Sequence, residues 1–386
     1  MHRFCFILLL SVNAFADYSW VQVTDTGFAT RLITTAQACP ASMTLRAAAS
    51  EAFPVTVCES PLTNMAPGIG PVAILGDTGC RIEVKDGKQD IQDCVNQWLF
   101  AQIIQNIASS KPSFVIHVGD YVYRESACPD GILGCANSPY GDNWATWKIE
   151  FFDSAVNLLS QTTWLFMRGN HELCSRNAQG WFRFLDPHPY TGICSDYTEP
   201  YLASYAGLNL IVVDNSAAED STAEIYAKQF ELTKSLVKER NWNKAWLLLH
   251  EPIWGANVHK KILKTFSPTM QEAFKSAPSE VELVLSGHVH FFQTVSFNDH
   301  LPNQVIVGTG GVELDKWKSD LSDVVFPGRS NAQIKSLSQF GHVLLTQTSN
   351  GHAFDFVSYD STRSIVSSGF NNPGPDFAIA SMNHSL

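Results

Sequence analysis

Five short apolar runs in this chain lead into residues that can bind metal ions. Val72 to Leu75 runs into Gly76-Asp77, and Phe114 to Val118 into Gly119-Asp120. Trp164 to Arg168 leads to Gly169-Asn170-His171, Ala245 to Leu249 to His250, and Val281 to Ser286 to Gly287-His288-Val289-His290. Asp and Asn oxygens suit hard cations, and imidazole nitrogens suit Fe, Mn, Zn, Ni or Cu. A mixed oxygen and nitrogen set therefore indicates a first-row transition metal rather than a calcium cage. One carboxylate can span two ions with its two oxygens. Asp120 is the natural bridge, because its motif lies between the other ligand groups. Taken singly, each residue has a plain structural reading: an Asp after a strand is usually a helix cap, and a lone His is usually a satisfied interior residue. The ordered set is far harder to obtain by chance: GDTG at Gly76–Gly79, GDYVY at Gly119–Tyr123, GNHE at Gly169–Glu172, LLLH at Leu247–His250 and GHVH at Gly287–His290.

Those runs have to be strands ending on one rim. In layered α/β folds, ligands bind just beyond the carboxyl ends of the strands, and glycine lets the backbone turn sharply and approach a ligand closely. Further strands are expected at Leu208 to Val213, Gln304 to Val307, His342 to Gln347 and His352 to Tyr359. Helices are expected at Gln89 to Ser109, Trp144 to Leu159, Ala223 to Arg240 and Pro268 to Ser276. This alternation means an α/β layered domain, expected over residues 71–360. Residues 17–70 differ: Tyr18 to Val23, Thr30 to Thr35 and Pro54 to Val57 are short strand-like pieces, separated by polar, Gly-bearing turns. They read as a small β-rich N-terminal module, closed by Pro67-Gly68-Ile69-Gly70-Pro71. Residues 361–386, rich in Ser, Asn, Gly and Pro, read as a loose tail.

The first residues look like a targeting signal. His2 and Arg3 start it, Phe4 to Val12 is apolar, and Ala14-Phe15-Ala16 fits a cleavage site. Removal after Ala16 is expected, with the protein secreted or periplasmic. The apolar run is too short for a membrane span, and no other stretch is long enough. Nine Cys are present, one of them within the signal. The other eight fall into neighbouring couples, expected as Cys39–Cys58, Cys80–Cys94, Cys128–Cys135 and Cys174–Cys194. Eight Cys allow about 105 pairings, so sequence alone does not settle this. None shows the CxxC spacing of a zinc knuckle. The 386 residues are 45% hydrophobic and carry a formal net charge of -11. Such a chain can bury a large core, and an acidic chain is a poor electrostatic partner for nucleic acid.

The ordered motifs from Val72 to about Gly311, including Gly308-Thr309-Gly310-Gly311, resemble the calcineurin-like metallophosphoesterase superfamily. Within it they look most like purple acid phosphatases. Most of the superfamily opens with DxH, and here Gly79 stands in place of that His. The purple acid phosphatase pattern takes a Tyr from GDxxY instead, and Tyr123 stands there. The resemblance implies a layered α/β/β/α sandwich and a site for two metal ions. Asp77, Asp120, Tyr123 and His290 would hold Fe(III). Asp120, Asn170, His250 and His288 would hold Fe, Zn or Mn. A phenolate favours a trivalent ion over Zn. The ions would clamp a phosphate and acidify a water, whose hydroxide attacks phosphorus. His171 matches the family residue that serves as acid to the leaving group, with Glu172 to orient it. Arg124 and Glu172 are weaker candidates for substrate contact. Trp144, Arg176, Trp181 and Arg183 lie near the site in sequence; an Arg there could grip phosphate, but surface charge and core packing are the more ordinary readings for each. His117, His188, His259, His300, His342 and His352 match no motif and are expected to be structural.

The expected activity is thus hydrolysis of small-molecule phosphate esters, with phosphomonoesters first, as an acid phosphatase. A phosphodiesterase with the same metals is the near alternative. A non-catalytic exported binding protein is the alternative of another class, and it sits badly with a complete ligand set.

Overall fold

A computed structural model gives the fold. It describes residues 17–63, 65, 68–205, 207–259, 262–265, 267–297, 301–315, 324–326, 331–348, 351–368 and 380–381. The expected signal segment at 1–16, His300 and most of the segment beyond 368 lie outside the described residues.

Two sheets pack face to face, their strands counted among the described residues. The first has eleven. At its centre Val72–Leu75, Phe114–His117 and Thr163–Phe166 run parallel. The second has eight, with Leu208–Val212, Ala245–Leu248, Val281–Ser286 and Asn303–Val307 parallel at its centre. Strand alternation explains the layers. Ile74, Phe114, Ile116 and Leu165 meet Leu210, Val212, Leu248 and Leu285 in one buried cluster between the sheets. Their neighbours Leu75, Val115, Trp164 and Phe166 face outward and pack with Ile103, Ile107 and Phe151. Ile211, Leu247 and Val284 face outward from the second sheet, onto Tyr226, Phe230 and Met270. Helices therefore cover both outer faces, with the sheets between, as the layered reading expects.

Every strand expected to carry a site motif forms within a residue or so of its expected bounds. The helix expected over Gln89 to Ser109 forms only as Phe100–Ser109. Residues 92–99 are turns and loop, and Gln89 to Ile91 belong instead to the strand Lys88–Ile91, which forms a hairpin with Ile82–Lys85. Asp86 and Gly87 form its turn at φ 50° and 74°, the positive angles that favour an Asp-Gly pair in a tight hairpin. The disulfide Cys80–Cys94 closes this unit. The run Trp144 to Leu159 is helical throughout, but Lys148–Phe152 is a π turn between α segments Trp144–Trp147 and Asp153–Leu159.

The N-terminal strands are an extension of the first sheet. Tyr18–Thr24 pairs in parallel with Thr163–Phe166, through Val21 with Thr163 and Gln22 with Trp164. Gly27–Thr34, Thr56–Leu62 and Thr44–Ala47 add outward from it. Two buried arginines bind this edge to the loop after helix Ala178–Phe184. Arg31 donates to the carbonyls of Phe184 and Asp186, both at 2.7 Å. Arg46 donates to those of Phe182, Asp186 and His188, at 2.9 to 3.0 Å. Both also meet Glu59. At the other edge, Arg363–Ser368 pairs with Gly351–Ser358, so this part of the expected loose tail is a strand. All four expected disulfides are present. No helix among the described residues is long and apolar enough to cross a membrane.

The outer helices approach so closely that glycine is required at one contact. A Cβ at Gly180 would collide with the Trp147 indole nitrogen. That nitrogen donates to Asp142, which also accepts from the backbone of Gln179 and Gly180. Gly180→Ala is expected to destabilise the fold by about 1–3 kcal/mol, read as a lower midpoint in denaturant unfolding with unchanged slope.

Candidate metal centre

The parallel strands all end on one side of the sandwich, and the loops after them bring the candidate ligands together. Asp77, Asp120 and His288 sit at φ 58°, 61° and 70°, in the left-handed region that non-glycine residues avoid. Three such residues in one loop cluster are stored strain, which the surrounding contacts must hold.

Four devices hold it. Glu172, fully buried, accepts from the backbone amides of Asp120, Tyr121, Val122 and Gly169 at 2.8 to 3.3 Å. It joins the GDYVY and GNHE loops. Glu150, on the π turn, accepts from the amides of Cys80 and Tyr123 at 3.0 and 2.7 Å and pairs with Arg124 at 2.7 Å. A π turn re-aims side chains relative to a regular helix, and here it brings Glu150 to both loops. Asn215 Oδ1 accepts from the amides of His250 and Glu251. Behind Asp77, the amide of Gly310 donates to the Gly76 carbonyl and that of Val312 to the Asp77 carbonyl. A Cβ at Gly308 would strike the Val289 carbonyl, which explains the glycine-rich stretch there.

The held side chains form two groups sharing one atom. In the first, Tyr123 Oη lies 3.1 Å from Asp77 Oδ1, 2.8 Å from Asp120 Oδ2 and 3.0 Å from His290 Nε2. In the second, one end of the Asn170 carboxamide lies 3.1 Å from His250 Nε2, 3.0 Å from His288 Nδ1 and 3.2 Å from Asp120 Oδ2. Asp120 Oδ2 is also 3.1 Å from His250 Nε2. It alone faces both groups, while Asp120 Oδ1 accepts from the His171 amide at 2.9 Å. Asp120 thus faces both groups through Oδ2.

This geometry fits cations. Tyr123 has one proton and two carboxylate oxygens beside it, with the His290 imidazole as a third polar neighbour. The inward end of the Asn170 carboxamide has Asp120 Oδ2, His250 Nε2 and His288 Nδ1 around it. Close-packed lone pairs of this kind repel unless a positive ion lies among them. His250 donates from Nδ1 to the Val118 carbonyl at 2.7 Å, which leaves Nε2 free as a ligand. With no cation, burial pushes Asp77 up to about 7, even though His250 opposes it. Burial also disfavours ionised Asp120, but His250 and His171 outweigh it and hold that carboxyl well below the usual range. Burial, then Asp120 and Asp77, keep the Tyr123 phenol protonated well above its ordinary value. Asp120, His250 and His288 lie close enough together to bind one ion.

The centre opens into a cleft of about 740 Å³. Asn170 and His171 are on its wall, with Arg81, Glu125, Arg176 and Glu219. The His171 ring lies against that of Tyr123, tilted by 36° with ring centroids 3.8 Å apart, and its Nδ1 is 2.8 Å from Glu125 Oε1. Glu125, not Glu172, is thus the carboxylate that orients it. Arg124 and Glu172, named from sequence as weak substrate contacts, do not line the cleft. The Arg124 guanidinium is taken by Glu150 and Ser138. Arg81 escaped the sequence reading, since no motif includes it. His117 is buried beneath the ligand loops, bonded to Thr78 and the Gly119 amide.

Glu150 gives a direct check on these supports. Glu150→Gln removes the charge partner of an arginine that is only 3% exposed. The expected cost is about 3–5 kcal/mol of stability, measured by chemical unfolding. A loss below 1 kcal/mol would show that the pair does not hold the loops.

Solved structures with this fold include the purple acid phosphatase PPD1 from yellow lupin (Lupinus luteus) seeds. It aligns at a TM-score of 0.55 and 12% identity over 96% of this chain and 74% of that one. PhoD aligns at 0.52 and 11%, over 95% and 88%. GAP50, the anchor in the inner membrane complex of Plasmodium, aligns at 0.47 and 16%, over 75% and 84%. Among curated protein sequences none matches the chain. The family model for calcineurin-like phosphoesterases matches residues 70–292, the stretch that carries all five ligand-bearing strands. The chain belongs to the calcineurin-like phosphoesterase family.

Proposed function

We propose that this protein is an exported hydrolase of phosphomonoesters, of the acid phosphatase type, working with two metal ions. The observation that carries this reading is the single oxygen of Asp120 facing two complete ligand groups. Asp77, Asp120, Tyr123 and His290 would hold the first ion, and Asp120, Asn170, His250 and His288 the second. When bound, such ions supply charge stabilisation for phosphoryl transfer and a nucleophile at moderate pH. A buried phenol that resists ionisation is matched by an ion of high charge. Fe(III) therefore suits the Tyr123 half, and Fe, Zn or Mn the other. Four disulfides fit an oxidising compartment, in keeping with the apolar N-terminal run.

The chain's own groups do the rest. Glu125 holds the His171 ring through Nδ1. That leaves Nε2 to pass a proton to the leaving oxygen as negative charge develops there. Burial, with the Tyr123 ring packed against one side, fixes the ring's orientation. Reading the centre as a decayed, non-catalytic site would leave seven converging side chains without a purpose.

The test is hydrolysis of p-nitrophenyl phosphate beside bis-p-nitrophenyl phosphate, from acid to neutral pH. The expected result is monoester turnover that falls more than about a hundredfold in Asp120→Asn. No turnover of either ester by protein with metals bound would overturn the hydrolase reading. His171→Asn is expected to lower kcat about a hundredfold for an alkyl phosphate. The loss should be smaller for p-nitrophenyl phosphate, whose leaving group needs little protonation. Equal losses on both substrates would remove the acid role. Tyr123→Phe is expected to abolish any visible charge-transfer absorption of the iron-loaded protein. An unchanged spectrum would place the iron elsewhere.

A further inference from the structure

Two arginines stand at the candidate centre without belonging to either ligand group. Arg81 is on the Tyr123 side. Its guanidinium carbon lies 5.5 Å from the Tyr123 ring centroid, and Nη2 lies 3.3 Å from His290 Nδ1. Arg176 is on the Asn170 side. Its Nη1 lies 3.1 Å from the outer end of the Asn170 carboxamide, and Nη2 lies 2.9 Å from His171 Nδ1. Each half of the centre therefore has its own guanidinium.

Both are held from behind and left open in front. Arg81 is fixed by Asp90 at 2.9 Å, and Arg176 by Glu125 at 2.6 Å. Their side chains keep 22% and 23% of their exposure, and both line the cleft. A guanidinium has five N–H donors: the carboxylate takes one nitrogen of each fork, Arg176 Nη1 and Nη2 also lie beside Asn170 and His171, and each Nη carries a second N–H. Arg81 Nε is buried, without a hydrogen-bond partner among the described residues, so Nη1 and Nη2 are the nitrogens this fork can offer to the cleft. The interior arginines are different: Arg31 and Arg46 spend their donors on carbonyls and on Glu59. Two anchored, partly open forks beside a phosphoryl-transfer centre form a receptor for anionic oxygen.

We infer that Arg81 and Arg176 grip the peripheral oxygens of a phosphomonoester dianion, and so set a preference for monoesters over diesters. This rests on the hydrolase reading above and names its substrate class. A monoester phosphate has three unesterified oxygens and up to two charges, whereas a diester has two and one. A diester would place its second ester arm against charged donors. Those donors would lose water and gain no acceptor, which is costly.

The experiment uses the full chain loaded with ferric and zinc ions. Binding of orthophosphate and of dimethyl phosphate is measured by calorimetry on wild type, Arg81→Gln, Arg176→Gln and the corresponding Lys variants. Each Gln variant is expected to weaken orthophosphate about tenfold and to leave dimethyl phosphate within about twofold. The Lys variants, which keep the charge but lose the fork, should fall between. Bound metal and melting temperature, measured alongside, should not change. Unchanged orthophosphate affinity, or equal weakening of both anions, would overturn the assignment. Kinetics on the two nitrophenyl esters separates the two proposals. A wild type that binds orthophosphate in this pattern but hydrolyses neither ester sinks the hydrolase reading alone. One that hydrolyses the monoester with an unaltered monoester-to-diester ratio in both Gln variants sinks the arginine assignment alone.

Discussion

Lone pairs repel one another, and a folded chain rarely forces many of them into one buried place. Here Asp120 Oδ2 lies within 2.8 Å of a phenol oxygen and 3.1 Å of an imidazole nitrogen, with Asp77, Asn170, His288 and His290 close by. Such a cluster costs free energy in the folded chain alone. Most of the architecture around it works against that cost. Parallel strands deliver the ligands, and backbone amides are fixed by two buried carboxylates, Glu172 and Glu150. The fold therefore carries a buried cluster of oxygen and nitrogen donors of the kind that suits cations.

The supports share a logic. Glu172 and Glu150 both accept from backbone amides of two different ligand loops, so each is a clamp across the rim. A carboxylate does this well because it has about four acceptor sites and a full charge for the N–H dipoles. Both are themselves fully buried. Burial pushes Glu172 up to about 8 against the pull of its amide donors. The clamps are thus costly, and they persist because several loops depend on them at once. Disulfides add a covalent layer to the same loops: Cys80 follows Asp77 closely, and Cys174 follows Asn170.

The N-terminal strands and the helix layer are bound into this system as well. Arg31 and Arg46 reach from the N-terminal edge to the carbonyls after helix Ala178–Phe184. That helix follows directly on the loop of His171 and Arg176. The strands at the chain's start thus brace one wall of the cleft from a distance, through buried charge and backbone rather than through contact with substrate.

Much of the site was legible in the sequence because its information is local. A short apolar strand followed by a ligand, with a glycine between them in four of the five cases, can be read in a short window, and the order of the five windows pointed to the family. The strands of both sheet centres follow from the same apolar runs. The disulfide partners were neighbours along the chain, so short loops were the natural guess. Local signals were also missed: Asp86-Gly87 marks the hairpin that replaces the first part of an expected helix. Other features have no local trace. That one oxygen of Asp120 serves both groups depends on the His171 amide capturing the other. That Glu125 orients His171, while Glu172 clamps amides, depends on how two loops cross. Arg81 reaches the centre, and Arg124 does not, because the loop after Gly79 turns its side chain toward His290 while Glu150 draws Arg124 into the interior. Sequence determined which chemical groups the chain owns and the order in which strands present them. Only the tertiary structure decided which atoms face one another, because hydrogen bonds and charges act over a few ångströms in space, whatever their distance along the chain.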